Sequence, residues 1–174
     1  GIADVRGYDS IIPKRYTDFM SLIEEQNLLA HNRIARLGKA ESLDSPLLDL
    51  LNVKYVVTEQ QIDRPRYREV YDGELRIYLN EDYLPRAFVV GQAEVLPGPA
   101  AVAAALRRAD FDPRRTVLLE EMPAQGLANL SPGPASVQVR FYRPTEVALA
   151  VDLAGDGILV LGDTYFDGWK ARVD

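Results

Sequence analysis

The stretch GDTYFDGW, Gly162–Trp169, sets two carboxylates among three aromatic rings. Sugars are bound by that combination, because their C–H faces stack on aromatic rings while their hydroxyls need acceptors. Asp163, Tyr165, Asp167 and Trp169 are therefore the candidate ligand-binding residues. A plainer reading competes with this one: Trp169 alternates inward with Ala171 and Val173 and belongs to the core. The alternation favours the core for Trp169 and leaves Tyr165 open. Catalytic candidates are few. His31 is the only histidine, so a Ser-His-Asp triad would have to be built around it, and a His-based metal site lacks partners. It falls at a predicted helix end beside Asn32 and Arg33, where an exposed or capping role accounts for it. Glu120-Glu121 and Asp110/Asp112 are acidic pairs, but glycosidase-type work needs two carboxylates on opposed elements. Adjacent strand residues point to opposite faces, and Asp112 before Pro113 reads as a turn. The oxygen-rich DGELRIYLNED lacks the ligand pattern of an EF-hand. No catalytic residue, metal ion or cofactor is expected.

Composition narrows the partners. The 174 residues suit one domain or two small ones and can bury a core. A net charge of −6 argues against a nucleic-acid surface, which needs clustered Lys and Arg. Without cysteine there is no disulfide framework and no thiolate zinc site. No apolar run approaches the ~18 residues of a spanning helix. Both termini read as cut from a longer chain: the start has no leader, and the closing GWKARVD opens a strand with no visible end.

The elements that would position these residues read as α+β. Residues 13–30 carry Tyr16, Phe19, Met20 and Ile23 at helical spacing, with Pro13 suited to the first turn. Ser45-Pro46 starts a short helix, PLLDLLN. VKYVVT (53–58) is a buried strand by its β-branched run. Asp72-Gly73 marks a hairpin between two β-rich arms, with Leu75, Ile77 and Leu79 on one face and Arg76 and Tyr78 on the other. A strand over 85–96, an Ala-rich helix over 99–110 and a strand over 116–120 complete an α+β unit over residues 1–122. Residues 123–134, with three prolines and two glycines, form a linker or long loop. Residues 135–174 then read as four strands of an antiparallel β-sandwich, incomplete at its C-terminal end.

Five segments, in order, resemble the extracytoplasmic C-terminal region of YfhO-like bacterial polytopic membrane proteins. They are GYDSIIPKRY (7–16), LLDLLNVKYVVT (47–58), LRIYLNEDYLPRAFVV (75–90), FDPRRTVLLE (111–120) and LVLGDTYFDGWKARVD (159–174). Each is weakly specific alone; together they span nearly the whole chain. Family members usually read PGW where this chain has Asp167-Gly168-Trp169. They continue past the final aspartate with more strands and a transmembrane helix. The resemblance implies a parent protein in the cell membrane that works on a lipid-linked sugar, with this region outside the cytoplasm and the parent's transmembrane part as its partner. It places no catalysis here. It also implies that Tyr8, Lys14 and Arg15 lie near the bilayer, where the two cations could meet a lipid phosphate. The plainer alternative is a solvated helix start with Tyr16 packed inward.

Three functions remain open on the sequence. The chain is an accessory domain positioning a glycan or polymer acceptor, a structural or protein-interaction module without a ligand, or a soluble glycan-active enzyme. A glycan, if bound, is expected at the Asp163–Trp169 end or in the crevice between the sandwich and the α+β unit.

Overall fold

The computed structural model describes residues 4–6, 12–26, 34–123, 126–127 and 130–173. The fold is α+β. Helix α1 (Lys14–Ile23) buries Thr17 and Met20, and it stops seven residues before the expected end at residue 30. Its cap explains the stop. Glu24 turns extended, and its carboxylate accepts hydrogen bonds from the Gly38 and Lys39 backbone N–H groups (3.0–3.1 Å) and from the Ser42 hydroxyl (2.6 Å). That anchor ties the helix end to a 3-10 turn, Ala40–Asp44. The last part of the expected helix, 27–30, lies outside the described residues, as does His31.

Burial alone would raise the Glu24 pKa, but the bonds from Ser42, Gly38 and Lys39, with the Lys39 charge, outweigh it and bring the net value below 4.5. A carboxylate depressed in the folded state stabilises above its unfolded pKa, and that contribution is lost as pH falls through the folded value. Glu24→Gln should therefore flatten the fall in melting temperature on acidification below about pH 4.5. Glu69, held down by Tyr78 and Arg76, and Glu94, held down by Arg108, supply a background slope common to both proteins. Equal slopes for wild type and variant would rule out the anchor.

Helix α2 (Leu47–Leu50) leads into β1 (Tyr55–Thr58), and the Asp72-Gly73 hairpin joins β2 (Tyr67–Asp72) to β3 (Arg76–Asn80). The three form an antiparallel sheet in the order β1-β3-β2, with Val56 opposite Tyr78 and Tyr55 opposite Leu79. The buried face belongs to Tyr67, Tyr78 and Asn80, while Tyr55, Val57, Tyr71 and Leu75 are exposed.

The predicted strand over 85–96 is two: β4 (Ala87–Val90) and β5 (Gln92–Val95), broken at Gly91. Any side chain at 91 would meet the Pro132 ring, and one at 157 would meet both Val89 and Pro132. The Pro-rich stretch thus lies directly against the sheet at two glycines. Strand β5 pairs in parallel with β6 (Thr116–Leu119), the helix α3 (Pro99–Ala105) serving as the crossover that parallel strands require.

Strands β7 (Ala135–Arg143) and β8 (Glu146–Leu153) form the expected hairpin, with a bulge between Val139 and Phe141. Strand β9 (Ile158–Leu161) does not continue it. It pairs antiparallel with β4, Phe88 opposite Val160, and β7 lies against β4 as well. The main apolar cluster gathers there: Leu84, Phe88 and Val90, covered by Leu50, Val117, Ile158 and Val160. The expected sandwich strand at 169–173 is not formed. Trp169 N–H bonds back to the Phe166 carbonyl in a turn, and the segment beyond is exposed and pairs with no strand among the described residues. Alternating side chains make a strand only when a neighbouring edge takes the backbone hydrogen bonds.

Candidate functional site

The residues singled out at 163–169 separate into two kinds. Asp163 is half-buried and already paired. It accepts from Arg86 at 2.9 Å and from the Tyr142 hydroxyl at 2.8 Å, while Arg86 also donates to the Gly162 carbonyl. The Arg86 guanidinium lies 5.6 Å from the Tyr142 ring centre. Desolvation first, then the bond to Asp163, raises the Tyr142 pKa. The cluster joins the residue before β4, the end of β7 and the residues after β9, so Asp163 is a brace rather than a free acceptor. Tyr165 (70% exposed), Phe166 (53%) and Trp169 (37%) stand on the turn that it anchors. Trp169 is thus not the core residue its alternation suggested. Asp167 is exposed on the same turn and is the acceptor nearest these rings in sequence.

At the other end of the chain, Lys14 is paired with Asp18 (2.6 Å) and Arg15 with Glu120 (2.9 Å), both pairs largely exposed. Such pairs are worth little and open readily to another anion. Tyr8 lies outside the described residues. Tyr16 packs inward and donates its hydroxyl hydrogen bond to the Val5 carbonyl; burial, then Asp4, push its pKa up to about 12. Asp112 closes a turn, accepting from the Arg114 N–H at 2.9 Å, while Glu120 is spent on Arg15. Among the described residues, no three acidic or histidine side chains are grouped to hold a metal ion.

Sequence reasoning missed the most enclosed polar cluster. Asp49, on α2, is 2% exposed, and Asn80, at the end of β3, is fully buried. Asp49 accepts from Arg66 and from the Asn80 amide (2.7 Å), with Arg114 4.0 Å from its second oxygen. The Asn80 amide donates also to the Val53 carbonyl, and its oxygen accepts from the Asp82 N–H. Arg66 reaches Asp82 at 3.4 Å, and Arg114 donates to the Asp82 carbonyl. The signal was present: Asp49 interrupts an otherwise apolar LLDLL run, and a carboxylate at such a position needs a buried cation. The segments LLDLLNVKYVVT, LRIYLNEDYLPRAFVV and FDPRRTVLLE converge here, through Asp49, Asn80 and Arg114.

No protein-family model matches the chain. Nor does any curated protein or solved structure. No helix among the described residues is long and apolar enough to cross a membrane.

Proposed function

We propose that the chain is a non-catalytic accessory module of a YfhO-like polytopic membrane protein of the glycosyltransferase kind. Held outside the cytoplasm beside the parent's transmembrane part, it positions a glycan or polymer acceptor. The observation that carries this reading is the braced aromatic turn. Three rings stand in solvent on a segment whose root is fixed by the Arg86–Asp163–Tyr142 cluster, so little ordering is needed for a sugar to stack. The non-catalytic part is supported by the partnered carboxylates: Asp49, Asp163 and Glu94 each face an arginine. A general acid instead needs a raised pKa in an apolar or like-charged setting.

Intrinsic fluorescence tests the reading, since Trp169 is the only tryptophan. A panel of oligosaccharides is expected to shift its emission with weak, saturable binding. Tyr165→Ala should weaken that binding about two- to tenfold with no change in melting temperature. Binding that is unaffected by Tyr165→Ala would move the site elsewhere. Release of reducing sugar by the purified chain, abolished by one carboxylate substitution, would overturn the non-catalytic part.

A second reading is a protein-interaction module. The outer face of the β1-β3-β2 sheet favours it, because Tyr55, Val57 and Tyr71 on its strands and Leu75 in the hairpin turn are all between 45% and 58% exposed.

A further inference from the structure

A groove of about 640 Å³ opens between β5, the start of β6, the segment after α3 and the loop at residues 127 and 130. That volume lies within the ~300–1,000 Å³ range of small-molecule sites. Its lining mixes apolar residues, Phe111, Leu127 and Leu130, with polar ones, Gln92, Glu94, Arg108, Asp110 and Thr116.

The charges in the groove decide what it can hold. Its one guanidinium, Arg108, donates through both terminal nitrogens to the two oxygens of Glu94, and its Nε lies 3.6 Å from Asp110. A phosphate or carboxylate ligand would have to displace Glu94 from that fork and face a second carboxylate. Two carboxylates against one cation make the groove repel anions. The groups left for a ligand are neutral or acceptor-rich. Gln92 accepts from the Thr116 hydroxyl at 3.0 Å, and its amide nitrogen has no partner among the described residues. The Asp110 side chain is 84% exposed, with oxygens open to hydroxyl donors. Planar side chains offering paired donors and acceptors beside apolar lining residues match a hydroxyl-rich, uncharged ligand.

We infer that this groove, lined by Gln92, Asp110, Thr116, the Glu94–Arg108 pair and Phe111, binds an uncharged segment of glycan. The inference rests on the glycan-positioning reading above and gives it a second site, separate from the aromatic turn. It also separates the ligand's parts: the groove takes neutral sugar units and excludes the charged pyrophosphate of a lipid-linked donor.

The test maps backbone amide shifts of the whole chain by NMR, with maltohexaose, cellohexaose and chitohexaose as probes and sodium pyrophosphate as the anionic comparison, each to ~10 mM. At least one hexasaccharide is expected to shift the amides of Gln92–Glu94 and Thr116, with pyrophosphate leaving them in place. Gln92→Leu and Asp110→Ala, both at exposed positions, should each weaken that binding about fivefold, with melting temperature unchanged. Either variant binding like wild type would overturn the groove assignment. So would pyrophosphate shifting the groove amides in place of the sugars. Sugar-induced shifts confined to residues 165–169 would overturn the groove while leaving the accessory reading intact. No shift with any hexasaccharide would overturn both.

Discussion

Asp49→Ala is expected to lower the unfolding free energy by about 3–5 kcal/mol, because it leaves a largely enclosed guanidinium with only the exposed Asp82, 3.4 Å away, as its counter-charge. Arg66 is only 16% exposed at its side chain and Asp49 only 3%. The Asn80 amide loses an acceptor as well, and Asn80 has no exposure to water that could replace it. In a chain of this length such a loss moves the melting temperature down on the order of 10 °C. Urea unfolding provides the measurement, with the midpoint shifting and the slope unchanged. Joining Asp49→Leu with Arg66→Met should recover most of the loss, since replacing a buried ion pair by apolar groups is often near neutral. If the single substitution costs under ~1 kcal/mol, Arg66 is finding water or Asp82, and the cluster is not a buried network.

Tyr78→Ala should cost about 3–5 kcal/mol through the cavity it leaves, since this ring is among the largest fully buried side chains. Tyr78→Phe separates ring from hydroxyl. The hydroxyl donates to Glu69 at 2.7 Å and accepts from the Ile62 N–H at 3.2 Å. Its loss should cost about 1–2 kcal/mol. A Phe variant as unstable as the Ala variant would mean that the hydroxyl bonds, not the packing, hold the 59–66 loop against the sheet.

Elements that depend on neighbours in the chain were legible from the residues. The Asp72-Gly73 hairpin, the β7–β8 hairpin and the strand–helix–strand order of 92–119 all follow from local pattern and turn chemistry. What failed depended on partners far away in sequence. Ile158–Leu161 has the same apolar character whether it pairs with β8 or with β4; only the packed structure selects Phe88 opposite Val160. Gly91 stands between β4 and β5, where Pro132, a residue distant in sequence, occupies the space that a side chain would need. In the hairpin the side chains alternate as expected, but Tyr78, not the aliphatic Ile77 and Leu79, lies on the most enclosed face. Asn80, two residues on and therefore on Tyr78's side, is buried there against Asp49. At the candidate site the rings were found and the role of Asp163 was not. An aspartate beside aromatics reads as an acceptor for ligand until Arg86 and Tyr142 are seen to occupy it.

The pairing of β4 with β9 sets an order on how the chain comes to its native state during synthesis. Phe88 and Val90 leave the ribosome long before Val160 and Ile158, which cover them. The β1-β3-β2 sheet, its turn and the Asp49 cluster can assemble from residues already emerged, because their partners lie between 49 and 114. The β4 layer cannot. Through much of translation it presents an unpaired, apolar strand edge, the feature that invites wrong pairing between nascent chains. A ribosome stalled before Ile158 should therefore hold a half-built molecule: firm around Tyr78, and soluble only as long as something else shields Phe88.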